Sequence, residues 1–369
     1  MTDETLYSIA LCSIEGIGPS RAKEFVRTFG SAKALYESSP YDIAGSGITP
    51  NALRLFLDHR DASLKMAEQE TKRMESLDIH CYNWFDDNYP ERLRQCDDAP
   101  LLLFTNNLVD LSSGRYIAVV GTRNVSDYGR TLARSLIKEL AAACPDVTIV
   151  SGLAYGVDIN AHRAALDFGL RTVAVVAHGL HTLYPAAHRT TAQSLTQLGG
   201  AVLSEYPTTV GAAPKNFLQR NRIVAGLSDA VVVVESAVRG GSLSTVAHAN
   251  GYGRDVFAFP GRVGDPASEG CNHIIRTCKG QLITSASDLL DALGWVGERE
   301  VKSADTLPEE LTEEESALYQ LLCRSAEPLH ISLLMQQSGL PMHKLKSLLT
   351  KLEFKGTITQ LAGEKYHKL

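Results

Sequence analysis

YIAVVGTRNVSDYGR, residues 116–130, is the stretch whose reading decides the fold of this 369-residue chain. Tyr116–Val120 is an unbroken apolar run, the pattern of a β-strand buried on both faces of a parallel sheet. Gly121 to Asp127 reads as a loop, and a helix opens near Tyr128-Gly129. Backbone N–H groups at such a helix start, beside Arg123, make a ready anion site. The scheme repeats in TIVSG (148–152), TVAVVA (172–177), AVLSE (201–205), AVVVVE (230–235) and DVFAFP (255–260). Each run leads through a glycine-containing or polar loop into a helical segment. Residues 115–295 are therefore expected to form an α/β fold built on an extended Rossmann-like, mostly parallel sheet.

A dinucleotide site would place G-x-G-x-x-G at this turn and an acid at the end of the second strand. The sequence has one glycine, then Thr122 and Arg123, and its second strand ends in Ser151-Gly152. An arginine where a pyrophosphate needs bare backbone suits a nucleic-acid phosphate. The competing reading pairs Arg123 with a structural acid.

Composition narrows the classes. With 44% apolar residues the chain can bury a large core, and its length suggests two or three domains. No apolar run approaches the roughly 18 residues of a membrane span, and the acidic start MTDETLYSIA lacks the basic character of a signal or transit peptide. Seven cysteines without C-x-x-C spacing fit free thiols in a reducing cytoplasm and lend no support to a zinc site. The net charge of −6 speaks against nucleic acid at first sight. Yet residues 115–294 carry 16 Lys and Arg against 13 Asp and Glu. Between Glu205 and Asp229 lie Lys215, Arg220 and Arg222 with no acid among them, so a local basic patch is expected.

Residues 1–75 read as a helical domain of the SAM or helix-hairpin-helix kind, centred on LCSIEGIGPSRAKEFVRTFGS (11–31). Such hairpins set glycine N–H groups against DNA phosphate, and the same turn also serves packing alone. Residues 76–114 connect it to the sheet, with Leu101–Phe104 as an added strand; together with the sheet they make up a domain of residues 76–296. Asp158 and His162, four apart, share a helix face, where capping competes with an acid–base or metal pair. The three histidines of His178–His188 fit no single helix face and have no acid among them, so this segment reads as a loop positioning Tyr184 and His188.

The most informative segment is Ala213–Gly226, APKNFLQRNRIVAG, which reads as a loop. Lys215, Arg220 and Arg222 suit a phosphate backbone, Phe217 offers a face to a base, and the amides, Asn221 among them, suit base edges. Single strands call for that combination. The plain alternative puts Phe217 in the core and the arginines in solvent. Gly240-Gly241-Ser242, opening the helix after AVVVVE, makes a second phosphate-cradling turn. No loop assembles a nucleophile with a base and an orienting partner, so no turnover is expected. An acidic linker is expected at 297–310 and a winged helix at 311–369, with helices at Glu313–Arg324 and Ile331–Gln337. Its third helix carries Leu345, Leu348, Leu349 and Leu352 inward and Lys344, Lys346 and Lys351 as a recognition helix would. Winged helices also serve as protein adaptors.

GTRNVSDYG, SGLAYGVDINAH, Leu183-Tyr184-Pro185, LSEYP with PKNFLQRNRIVAGLS, GGSLST and the segment ending in Gly270-Cys271-Asn272 stand in the order found in the DprA/Smf family of DNA-processing proteins. The chain resembles that family over nearly its whole length. The resemblance implies a dimer, formed through the Rossmann-like domain, that binds single-stranded DNA without catalysing a reaction. It also implies protection of incoming DNA in natural transformation and loading of RecA recombinase onto it, with no cofactor, metal or membrane. Carried over by position, the DNA pocket would use Gly121, Arg123, Lys215, Phe217, Asn221 and the Gly240-Gly241-Ser242 turn; the residue reading adds Thr122, Arg220 and Arg222. Thr122 stands where the family has serine, Ser244 where it has isoleucine, and Cys271 where a small or polar residue is common. The alternative is a nucleotide N-glycosidase of the lysine-decarboxylase-like type. Its P-G-G-x-G-T-x-x-E signature needs a glutamate for proton transfer, and the run Arg239–His248 has none.

Overall fold

The structure is a computed structural model, described here for residues 2–295, 311–323, 325, 328–355, 357–361 and 364–368. These fall into two units, divided after Trp295; the acidic linker expected at 297–310 lies outside the described residues.

The first unit is built on nine strands: β1 (His80–Asn83), β2 (Leu102–Thr105), β3 (Arg115–Val120), β4 (Val147–Ser151), β5 (Thr172–Val175), β6 (Ala201–Ser204), β7 (Ala230–Val233), β8 (Asp255–Ala258) and β9 (Gln281–Leu282). Their order is β1-β2-β6-β5-β4-β3-β7-β8-β9. β3 to β9 are parallel, while β2 joins β6 and β1 joins β2 in antiparallel fashion. Every residue of β4, β5, β6 and β7 is buried, because helices cover both faces and leave no side of the strand to water. This is the Rossmann-like sheet the apolar runs announce, and β2 is the strand expected at Leu101–Phe104. β1 carried no signal: His80-Cys81-Tyr82-Asn83 neither alternates nor runs apolar.

Helices Asp3–Ser13, Pro19–Phe29, Ala32–Glu37, Pro40–Ala44 and Pro50–Ser76 precede the sheet. They share a hydrophobic core with Leu101, Leu102 and Phe104, around Phe25, Leu35 and Phe56. The hairpin's cations each have a partner within the chain, though only Lys23 is buried. Arg21 donates to Gly16 O at 2.8 Å, buried Lys23 donates to Asp97 O at 2.7 Å, and the Arg27 guanidinium lies 4.9 Å from the Trp84 ring. Packing is the reading these contacts favour. Farther along, buried Glu70 accepts from both N–H and Oγ1 of Thr208, fastening the long helix to the loop after β6.

The second unit is a winged helix. Helices Glu313–Cys323, Ile331–Ser338 and Met342–Phe354 pack with a small sheet in the order β10 (Leu329–His330), β12 (Lys365–Lys368), β11 (Ile358–Leu361). Leu318, Leu322, Leu334, Leu345, Leu349 and Leu352 form its core. Lys344 and Lys346, expected as recognition-helix cations, are ion-paired within the unit, to Glu314 at 2.5 Å and Glu364 at 3.2 Å.

Candidate nucleic-acid interface

β3 lies between β4 and β7, so the loops leaving its carboxyl end and that of β7 part at the reversal of strand order, where open α/β sheets bind ligands. A cleft of about 530 Å³ opens there. Its lining comes from Gly121-Thr122-Arg123 after β3, Gly152 and Ala154 after β4, Tyr184 after β5 and the Gly240-Gly241-Ser242 turn after β7. One face of helix Pro214–Gly226 completes it.

A buried acid holds the parting loops together. Glu235, just past β7, accepts from Ser126 N–H at 2.9 Å and from Ser126 Oγ, while its own carbonyl accepts from Thr122 N–H at 2.8 Å. Ser126 Oγ in turn caps the helix Asp127–Ala143 by accepting from Gly129 N–H. A Cβ on Gly121 would lie 2.5 Å from Val157 Cγ2 and 2.7 Å from Glu235 O. That glycine is required by packing, whatever the cleft holds.

Ala213–Gly226 is not the expected loop but, from Pro214, a helix of 13 residues with proline in its first turn. Helical periodicity explains which side chains reach the cleft: Pro214, Phe217, Leu218, Asn221 and Val224 recur at three- and four-residue steps on one face, with Arg220 in the cleft wall beside them. The three cations consequently part company. Lys215 is exposed at the helix start. Arg220, expected to face a phosphate, is buried, and its Nη1 donates to Gly152 O at 2.7 Å and to Val175 O. Arg222, expected in the same role, is buried on another side, ion-paired to Glu205 and donating to Asp98 O at 2.6 Å. Neither arginine is a free cation.

The remaining sequence-named residues come together. The exposed Arg123 guanidinium lies 4.9 Å from the centroid of the Phe217 ring, which also meets Tyr184 at 5.9 Å and 62°. A guanidinium stacked on a ring keeps its N–H edge free for a phosphate. Asn221 Nδ2 donates to Gly241 O at 3.1 Å, tying the helix to the glycine turn. Ser242 Oγ is directed inward to Ser236 Oγ at 2.8 Å, and Thr122 Oγ1 accepts from Asn124 N–H at 3.2 Å, so both hydroxyls shape their loops. Helices Pro214–Gly226 and Ser242–Gly251 begin at the cleft without a side-chain cap. The positive ends of their dipoles favour an anion there, while the N–H groups of Asn216, Leu243 and Ser244 are spent on the carbonyls of Ala213, Gly240 and Gly241.

Asp158 and His162 do not pair with each other. Asp158 Oδ2 accepts from the N–H groups of Gly152 and Ala154, at 3.2 and 3.3 Å. Burial pushes this carboxyl up, and the Arg220 guanidinium opposes the rise. Gly152 is thus held by its N–H to Asp158 and by its carbonyl to Arg220. A Cβ there would fall 2.4 Å from the guanidinium. His162 Nδ1 lies 2.7 Å from Thr172 Oγ1, which spends its own hydrogen on Ile149 O at 2.9 Å. Nδ1 must therefore carry the proton, leaving Nε2 buried without a partner. Burial accordingly holds the His162 pKa down to about 3. The unfolded chain takes up that proton near pH 6.5, so stability falls as pH drops below about 6.5, by up to roughly 1.4 kcal/mol per pH unit. His178 and His248, also lowered by burial, act in the same direction. Urea midpoints between pH 7.5 and 5 check this: His162→Gln is expected to give a shallower acid decline, and an unchanged slope would refute the assignment.

The histidine segment also scatters, as a loop would. His188 Nδ1 is 2.7 Å from Leu153 O, and His178 Nε2 accepts from Tyr184 N–H. Among the described residues no three His, Cys, Asp or Glu side chains gather as a metal site, and no helix is long and apolar enough to cross a membrane.

A Rossmann-like sheet with a cleft at its switch point, accompanied by a winged helix, defines a narrow class of protein. The profile of the DNA recombination-mediator protein A family matches residues 80–294, and that of the DprA winged helix domain matches residues 302–364. The chain belongs to the DNA recombination-mediator protein A family. It is 42% identical over 205 residues to Protein Smf of Escherichia coli K12, a match covering 56% of this chain and 54% of that protein. The chain thus spans about half the length of such curated relatives. The X-ray structure of DNA processing protein A from Streptococcus pneumoniae superposes with a TM-score of 0.64 at 33% identity, covering 79% of this chain and 98% of that one. A structure of DNA processing protein A from Helicobacter pylori, concerned with its single-stranded DNA binding, gives 0.53 at 28% identity over 59% and 96%.

Proposed function

We propose that this cleft binds single-stranded DNA. The observation that carries the reading is the stacked Arg123–Phe217 pair at a switch-point cleft onto which two uncapped helix N-termini open. The guanidinium edge, Lys215 and the helix dipoles suit successive phosphates, and the aromatic rings suit bases of any identity. Duplex DNA hides its base faces and fits this chemistry poorly. The single-strand binding of the Helicobacter pylori relative points the same way. Membership of the family extends the reading to DNA processing in natural transformation, with protection of the strand, loading of RecA and a homodimer formed through the sheet unit, in the cytoplasm.

Fluorescence anisotropy with labelled oligo-dT across a salt series tests the reading. Binding is expected to weaken steeply with salt, with blunt duplex competing poorly. All cleft-lining residues lie between 120 and 245. Removal of residues 300–369 is therefore expected to leave affinity within roughly fivefold, about 1 kcal/mol. A folded, shortened protein that no longer binds the strand would overturn the placement of the site. The glycosidase alternative has no support in the cleft, where Asp158 is the one carboxylate among the described lining residues and is spent on loop amides. Multiple-turnover release of free base from nucleotides would reinstate it.

A further inference from the structure

We propose that Tyr184 is the residue on which a nucleobase stacks, and that Phe217 serves as the platform holding Arg123 towards the phosphate. The proposal rests on the single-strand reading above. Phe217, at sequence level the natural stacking face, is partly buried, and the Arg123 guanidinium already lies over its ring. A base stacked on the face that Arg123 covers would have to displace a cation–π contact. Tyr184 lines the same cleft, is 48% exposed, and meets Phe217 at 62°. Its hydroxyl has no hydrogen-bond partner among the described residues, and its ring is the more exposed of the two aromatic rings in the lining.

The ring is open yet its backbone is fixed. Tyr184 N–H donates to His178 Nε2 at 3.1 Å, and His178 Nδ1, the remaining donor, lies 2.9 Å from Gly179 O. His178 is fully buried. A buried imidazole with both nitrogens engaged thus sets where the tyrosine leaves the loop. Apolar ring surface presented in this way gains from being covered, and a base covers it without regard to sequence. Tyr155 is as exposed, but its ring lies against His188 and it does not line the cleft.

The test uses the full chain with two probes of equal length: oligo-dT, and a strand of abasic tetrahydrofuran sugar-phosphates. Tyr184→Ala is expected to weaken oligo-dT binding by about 5- to 150-fold, the range for loss of one stacked base. It is expected to leave the abasic strand within about twofold of wild type. Tyr184→Phe keeps the ring and is expected to bind both probes as wild type does. Phe217→Ala, which frees Arg123, is expected to weaken both probes. If wild type binds oligo-dT and Tyr184→Ala binds it equally well, the stacking assignment falls while the single-strand reading stands. Equal losses on both probes overturn the assignment too, since the residue would then act on the backbone or the fold. Failure of wild type to bind oligo-dT removes the functional reading and this assignment with it.

Discussion

Arg220→Ala is expected to lower folding stability by about 3–5 kcal/mol, the range for removing one partner of a buried charged pair. Three losses coincide. The carbonyls of Gly152 and Val175 lose their donor, Asp158 stays buried without the cation that offsets its desolvation, and the space of a guanidinium opens beneath the β4 loop. Arg220→Lys is expected to recover only part, because an ammonium is smaller and more strongly hydrated than the guanidinium whose Nη1 serves both carbonyls. Arg220→Ala combined with Asp158→Asn is expected to be less damaging than the sum of the single changes, since the uncompensated charge goes with the acid. Chemical denaturation of the four proteins measures this. A loss below about 1 kcal/mol in Arg220→Ala would mean that Arg220 is a free cation facing the cleft, as its place in the sequence suggested.

Arg123→Ala is expected to weaken oligo-dT binding by roughly 1.5–3 kcal/mol, the range for a charged hydrogen bond. The magnitude of the salt slope should fall by about 0.7, the value for one phosphate contact on a single strand. Lys215→Ala is expected to lower the slope similarly with a smaller loss of affinity, since Lys215 is exposed and stacks on nothing. Arg123→Lys separates charge from stacking: it keeps the slope and loses affinity. Phe217→Ala is expected to lose roughly 1–2 kcal/mol. Its effect should add little to that of Arg123→Lys, because both changes break one contact. If Phe217→Ala binds as wild type does, or blunt duplex competes as well as a single strand, the cleft is only a solvated basic face.

The parallel sheet was legible because a strand buried on both faces must be largely apolar, and six such runs stand in the sequence. The edge strands β1 and β9 were not, since pairing on one side imposes no pattern on four or two residues. In the site, Arg123, Phe217, Asn221 and the glycine turn come together as the motifs implied. The helix Pro214–Gly226 was not legible because its apolar steps at 214, 217, 218 and 224 are interrupted by Asn221 and interleaved with cations. Its arginines could not be sorted by sequence: what buries Arg220 and Arg222 are carbonyls and a carboxylate brought from residues 98, 152, 175 and 205 by the fold. The clamp by Glu235 was missed for the same reason. A faint signal existed, an acid ending an otherwise apolar strand, and its partner Ser126 lies 109 residues away.

The tie between Glu70 and Thr208 bears on how the family's protein may be divided. The matched profile begins at residue 80, which invites treating the preceding helices as an appendage. Without them Leu101, Leu102 and Phe104 would present bare apolar surface to water, and the Thr208 amide would lose its acceptor a few residues before the cleft helix begins. A chain starting at residue 80 would thus be sticky along one flank and loosened on the approach to its own binding groove. The amino-terminal helices, with buried Lys23 donating to Asp97 O, act as a splint for the sheet.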